Sequence, residues 1–352
     1  MNDLVSDSLD KLLWACSTPE VVRRIEQGGS ADKLWAGIEQ SGFLDALVAE
    51  SAGGAGLTLS EILPIFLAEG RYCLPVPLGH TMVARAALAR EGHGAPEGAI
   101  AIATQVCCDT DGAIRCQAVP YGRVVQWVVA AVPHAWLVLP VSAADVRTTG
   151  IHASLRTHML WTSRPPQTVV VGKALAWQHI GAVITAAQLA GAMERTLALT
   201  TSYANERTQF GRSIGKFQAV QHQLSVMAEQ VFAARMAAEL GCAGSSSFIP
   251  NRMRAAMAKA RASEAVGITT SVAHAVHGAM GVTAECDLHL FTRRMHEWRA
   301  DYGSEGHWNR QLGEALLSSD ASSALDFMLR ELTPPVAVED APAASARTVH
   351  HP

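Results

Sequence analysis

The sequence predicts a mainly α-helical protein interrupted by one small β-domain, and three observations carry that prediction. Apolar residues recur at helical spacing through the C-terminal half, from Phe217 through Val220, Leu224, Met227, Val231 and Ala234 to Ala238 without a break. Between residues 99 and 171 the pattern changes to short runs rich in Ala, Ile and Val, separated by turn signals. Of 352 residues, 49% are hydrophobic and 17% charged, the balance of a folded chain with large buried faces, subunit contacts among them. At roughly 150 residues per domain, this length implies two or three units.

The first segment, 1–97, reads as short helices. Over residues 32–47, Leu34, Ile38, Leu44 and Leu47 fall near helical spacing, and residues 59–68 do likewise. Between them ESAGGAGL, residues 50–57, is a glycine-rich turn; with no strand before it, a loop between helices is favoured over a phosphate cradle. The β-domain, 98–172, has expected strands at 99–106, 124–132, 135–141 and 168–171. They are punctuated by Asp111-Gly112, Gly122, Pro133 and Pro165-Pro166. The third segment, 173–332, is a helical bundle. Ala186, Leu189, Ala190, Met193 and Leu197 make one apolar face, followed by the long seam ending at Ala238. Gly241 is the expected C-cap, and Pro250 opens a helix reaching about His274. The small residues Ala186, Ala190 and Gly191 hint at room for a bulky ligand. A tail, 333–352, rich in Pro and Ala, is expected to be unpacked.

Several function classes are excluded. A net charge of −4 gives no global attraction to nucleic acid or an anionic membrane. No apolar run approaches the ~20 residues of a membrane span. The acidic first ten residues do not resemble a secretory leader, so a cytoplasmic protein is expected. The seven cysteines include no CxxC pair and read as reduced, buried thiols. Fourteen histidines show no HExxH spacing, so no metal is expected.

Chemistry concentrates in ERTQFGRSIGKFQ, residues 206–218, between two long helices. Two glycines let backbone N–H groups approach a ligand, Arg207, Arg212 and Lys216 can neutralise phosphate, and a helix start near Phe217 favours anions. The residue types alone leave two readings open: a phosphate site, or an ordinary basic turn between helices.

The order of those residues resembles the flavin-binding segment of the acyl-CoA dehydrogenases, R-x-x-F-G-(R/K)-x-I-G-x-F-Q. Residues 50–57 resemble that family's EEYGGxGL loop, and LPVPLGH, residues 74–80, its P-x-P approach to a helix. The resemblance covers most of the chain. It implies an N-terminal helical domain, a β-barrel-like middle and a C-terminal four-helix bundle. It also implies FAD held between subunits, an acyl-CoA substrate and an electron-transfer acceptor. A carboxylate takes the α-proton while flavin accepts hydride from Cβ. Carried over by position, Arg207, Gln209, Phe210 and Gln218 contact FAD. HGAMG, residues 277–281, resembles the family's QxxGGxG, with His277, Gly278 and Gly281 toward the FAD of a neighbouring subunit. Ala275 and Ala279 depart from that motif. His277, with Thr283-Ala284-Glu285 and the stretch 288–294, is similar to a subgroup acting on bulky, steroid-derived acyl-CoAs.

Two departures shape the functional expectation. The family's base lies in a Y-E-G-T-S-E loop; here the stretch 301–307 is DYGSEGH, and Gly303 stands where the glutamate belongs. The alternative base position falls on Gly181. Asp301 is the nearest substitute acid, and both it and Glu305 read as solvated or ion-paired surface residues. The family's T-E-P-x-x-G-S flavin loop has no counterpart between Ala103 and Gly122. Three readings follow. The first is the smaller, β-type subunit of an α2β2 heteromer, whose larger partner supplies the base. The others are a self-sufficient homo-oligomer using a displaced acid, and a scaffold subunit without flavin.

Overall fold

A computed structural model describes residues 2–110 and 112–334. The expected tail, with His350 and His351, lies outside the described residues from 335 onward. Five helices come first: α1 (Asn2–Cys16), α2 (Pro19–Glu26), α3 (Asp32–Gln40), α4 (Leu59–Arg71) and α5 (Leu78–Arg90). Their ends follow local chemistry. Thr58 accepts from Glu61 N while the Glu61 carboxylate reaches back to Thr58 N at 2.8 Å, a capping box that starts α4. The helix expected over 32–47 stops at Gln40, because Gly42 turns the chain with φ +77°.

Eight strands follow: β1 (Ile100–Ala103), β2 (Val106–Cys108), β3 (Ile114–Val119), β4 (Trp127–Val132), β5 (Ala135–Pro140), β6 (Asp145–Thr148), β7 (Thr157–Trp161) and β8 (Val169–Val171). They form two four-stranded sheets, β1-β4-β5-β8 and β2-β3-β7-β6. The first is the apolar one: Ile100, Ile102, Val128, Val129, Trp136 and Val138 are all buried. The second includes β3, β6 and β7, which the residue pattern did not announce. The expected run 99–106 is two strands in different sheets, and the run from 124 begins as a strand only at Trp127. Cys107 and Cys108 are exposed on β2, contrary to the expectation of buried thiols, and all seven cysteines are free.

The bundle is α6 (Trp177–Glu206), α7 (Gln218–Cys242), α8 (Arg252–His277), α9 (Leu288–Ala300), α10 (Glu305–Ser318) and α11 (Ala324–Glu331). Asn251 caps α8 through Arg254 N at 3.0 Å. Gly241 is not a C-cap. It lies inside α7, where a Cβ would stand 2.7 Å from the Ala258 methyl, so its role is to let α7 approach α8. The small residues on α6 act the same way. A Cβ on Gly191 would meet the Leu67 carbonyl at 1.9 Å, and one on Gly70 would meet the Gln188 carbonyl at 1.9 Å. Ala186 and Ala190 are fully buried. These positions bring α4 against α6 rather than opening room for a ligand. In the seam of α7, Met227, Val231, Ala234 and Ala238 are buried, whereas Phe217, Val220 and Leu224 are only half-buried.

Candidate functional site

The basic segment folds as a projecting hairpin. β9 (Thr208–Gln209) pairs antiparallel with β10 (Arg212–Ser213), joined by Phe210 and Gly211 at φ +51° and +79°. Positive φ at both central residues is what a tight two-residue hairpin requires, and Gly211 meets it without strain. Phe210 is 92% exposed, and its ring stands perpendicular to that of Phe217 with the centres 6.2 Å apart. The Arg212 guanidinium lies 4.2 Å from the centre of the Phe217 ring. Among the described residues, Arg207, Arg212 and Lys216 have no ion-pair partner. Gln218 opens α7 beside them, and no side chain caps that helix start. Three unpaired cations and uncapped N–H groups form a donor set for a diphosphate.

The second motif sits at the same end of the bundle. α8 stops at His277 because Gly278 takes φ +59°, and a short 3₁₀ turn (Gly278–Val282) follows. His277 is buried: its Nδ1 is 2.8 Å from the Ala273 carbonyl, and its ring stacks on Tyr203 at 4.4 Å. Tyr203 in turn receives the Arg207 N–H on its carbonyl at 2.8 Å. His277 therefore links the two motifs by packing, with its ring turned away from solvent. Gly278 faces open space, whereas a Cβ on Gly281 would meet His277 Cβ at 3.0 Å and Leu288 at 3.1 Å.

The two base positions, Gly303 and Gly181, both adjoin Tyr302, the tyrosine of the DYGSEGH stretch. The Tyr302 ring stands 2.4 Å from where a Cβ on Gly181 would be. Its hydroxyl donates to the Ile102 carbonyl at 2.9 Å and lies 3.3 Å from His80 Nε2. Tyr302 holds φ +56° and Gly303 φ +105°, and the surroundings enforce both values. The buried Lys259 ammonium donates to the carbonyls of Arg299 and Gly303, both at 2.9 Å, and to Ser263 Oγ at 2.7 Å. Asp301 is not a surface residue: it is 8% exposed, with Oδ1 2.8 Å from Arg156 Nη2. Burial raises its pKa against the pull of Arg156 and Lys259, and burial lowers that of Lys259. Its carboxylate is thus committed to an ion pair. Glu305 pairs with Arg299.

Deeper in the same region lies a polar core. Glu69 accepts from Gly79 N at 2.8 Å and from Gln188 Nε2 at 2.9 Å, and burial raises its pKa to about 8. Burial pushes His80 down to about 3, so the imidazole is neutral at pH 7. Tyr121 and Tyr302 both meet the His80 ring edge-on. Of this set only Lys259 carried a readable signal, since it shares a helical stripe with Ala255, Ala262 and Val266.

The two regions differ in how they would suit a flavin. The hairpin and the Gly278 turn present unpaired cations and open space, which fits the phosphate and nucleotide end of FAD. The cleft bounded by residues 102–105, Gln117, Ala118, Pro120, Asp301 and Tyr302 encloses about 20 Å³. Counted as room for water centres, that holds about one water, at roughly 10–15 Å³ each, and not a flavin ring.

Three comparisons bear on the class of protein. Residues 174–315 match the family model described as acyl-CoA dehydrogenase, C-terminal domain. Acyl-CoA dehydrogenase IpdE2 of Mycolicibacterium smegmatis is 28% identical over 306 residues, covering 84% of this chain and 92% of that protein. Among solved structures, the ChsE4–ChsE5 complex of Mycobacterium tuberculosis contains a chain with TM-score 0.76 and 22% identity, covering 91% of this chain and 98% of that one. A variant of the Tcur3481–Tcur3483 steroid ACAD gives TM-score 0.74 and 22% identity, over 90% and 97% of the two chains. The fold is that of flavin-dependent oxidoreductases. More particularly, the chain resembles the acyl-CoA dehydrogenases, through their C-terminal domain over residues 174–315 and through IpdE2 over most of its length. Among the described residues no helix is long and apolar enough to cross a membrane.

Proposed function

We propose that this chain is the smaller subunit of a heteromeric, FAD-dependent acyl-CoA dehydrogenase that desaturates a bulky, steroid-type acyl-CoA between Cα and Cβ. One contrast carries the reading. The cationic hairpin is exposed and has no ion-pair partner among the described residues, while glycine stands at both of the chain's own base positions and Asp301 is held by Arg156. A half-site that faces outward suits a cofactor seated on another chain. Arg207 and Arg212 offer bidentate contacts to the diphosphate, and Lys216 adds a point charge. Gln209, Phe210, Gln218 and the Gly278 turn would border the nucleotide end. Bound FAD supplies the hydride acceptor; the general base and acyl pocket come from the larger partner subunit, and an electron-transfer acceptor reoxidises the complex. The half-buried start of α7 gives that partner an apolar surface beside the hairpin. The heteromeric ChsE4–ChsE5 and steroid-type Tcur3481–Tcur3483 neighbours support the same assignment of partner and substrate class.

The test is co-expression with candidate larger acyl-CoA dehydrogenase subunits, followed by flavin quantification and assay on steroid-CoA and straight-chain acyl-CoA. The expected complex holds one flavin per two chains, and Arg207→Ala in this chain releases it. A chain that purifies alone with one flavin per protomer and full acyl-CoA oxidation would falsify the assignment.

A further inference from the structure

A cavity of about 360 Å³ opens where the corner between α1 and α2, the end of α4, the middle of α6 and the start of α9 meet. That size lies within the roughly 300–1,000 Å³ of small-molecule sites. Its walls are largely apolar, with Trp14, Tyr72, Leu290 and Phe291 among them. Trp14 is 72% exposed, a large aromatic side chain left toward solvent, while Leu290 and Phe291 are buried. The polar atoms between them are mostly spent. The Cys73 thiol donates to the Leu290 carbonyl at 3.6 Å, and burial pushes it up to about 12, so it stays protonated at pH 7. Ser17 Oγ donates to the Tyr72 carbonyl at 3.5 Å, and the Tyr72 hydroxyl donates to the Asp10 carbonyl at 3.3 Å.

The charges are not balanced in the same way. Arg71 is held by Asp10 at 3.2 Å and by Glu194 at 3.4 Å. Glu20 is turned to the start of its own helix, where its backbone N–H and the Thr18 hydroxyl hold its carboxyl below the usual range. The Arg195 side chain lines the cavity half-buried, and among the described residues it has no ion-pair or hydrogen-bond partner. Its charge reaches the Tyr72 phenol. A half-buried guanidinium beside apolar walls is one half of an ion pair, and the space next to it is large enough for the other half.

We propose that this cavity binds an aromatic monocarboxylate, its carboxylate paired with Arg195 and its ring held among Trp14, Tyr72 and Phe291. Arginine's planar fork matches a carboxylate, and one free cation suits a single negative charge. The aromatic walls suit a flat ring. Arg195 precedes Arg207 by a dozen residues, about 18 Å along α6 at 1.5 Å per residue, so this site and the hairpin are tested separately.

The probe is 2-naphthoate, titrated by calorimetry into the full chain. One molecule per chain is expected to bind. Arg195→Gln should weaken binding by about ten- to a hundredfold, the usual loss for a charge-assisted pair. Because Arg195 makes no internal ion pair, Arg195→Gln is expected to keep the wild-type Tm, and Arg195→Lys should restore part of the affinity. The neutral 2-naphthamide should bind the wild-type chain as weakly as 2-naphthoate binds Arg195→Gln, and Trp14→Ala should weaken both probes alike. No saturable uptake of 2-naphthoate, or equal affinity for the wild-type chain and Arg195→Gln, overturns the proposal. The same titration on the assembled complex should give the same affinity. Binding lost there would mean that a partner subunit covers the cavity, which overturns the small-molecule assignment.

Discussion

Putting glutamate back at position 303 is the obvious repair for a chain that lacks its base, and the structure predicts that it fails. Gly303 holds φ +105°, outside the range an L side chain adopts without strain. A Cβ built there stands 2.6 Å from His307 Cδ2 and 2.9 Å from Trp308 Nε1, and Trp308 is fully buried. The backbone cannot yield easily, since Lys259 grips the Gly303 carbonyl. Backbone strain of about 1–3 kcal/mol and overpacking of about 1–3 kcal/mol together give roughly 2–6 kcal/mol of destabilisation. That is a large part of the ~5–15 kcal/mol that holds a typical protein folded. Urea unfolding of the purified chain followed by far-UV dichroism should show the midpoint of Gly303→Glu falling accordingly. In the heteromer, the variant should gain neither a second flavin nor any acyl-CoA oxidation. An unchanged midpoint together with added flavin would refute the steric argument.

Three further outcomes follow from the same geometry. Asp301→Asn breaks a buried ion pair with Arg156 and should lower stability by about 3–5 kcal/mol in urea; kcat of the assembled enzyme should stay unchanged, whereas a fall in kcat at unchanged stability would identify Asp301 as the base. Glu69 has a folded pKa raised from about 4.5 to about 8, so it adds stability below about pH 4.5 that is lost as pH rises through 8. Relative to Glu69→Gln, the wild-type protein should therefore lose about 1.4 kcal/mol per pH unit between roughly pH 5 and 8, and a constant gap in urea melts at pH 5.5 and 7.5 would mean that Glu69 is charged in the fold. Gly191→Ala places a methyl against the Leu67 carbonyl and should cost at least 1–3 kcal/mol by thermal melt; a neutral result would show that α4 and α6 can separate there.

How much of this was legible depends on where each signal is kept. Helices α6, α7 and α8 were readable because burial along one face leaves a 3.6-residue period. The same period could not say which molecule covers the face: Phe217, Val220 and Leu224 continue the seam of α7 in sequence yet are only half-buried within one chain. β3 carried an alternation, with Ile114 and Cys116 buried and Arg115 and Gln117 exposed, but Arg and Gln within it masked the strand. β6 is exposed throughout and left no apolar pattern to read. Gly241 and Gly191 show a subtler limit, because glycine marks a helix end and a close helix approach with the same letter. The basic turn was visible in residue order because its cations, glycines and helix start lie within a dozen positions, but its two short strands, β9 and β10, were not. The packing around the 301–303 loop was not, since it is made by residues from distant elements: His80, Ile102, Arg156, Gly181, Lys259 and Tyr302. Sequence could show that a carboxylate was missing at 303, beside the tyrosine the motif keeps; only the fold shows that Lys259 and Arg156 pin the loop on both sides of it. That difference changes the expected repair. A chain lacking only its base would be rescued by one substitution, whereas a chain whose 301–303 loop is pinned needs that loop released from Lys259 and Arg156 as well as a carboxylate supplied. Activity from the carboxylate alone would show that the loop moves freely in solution.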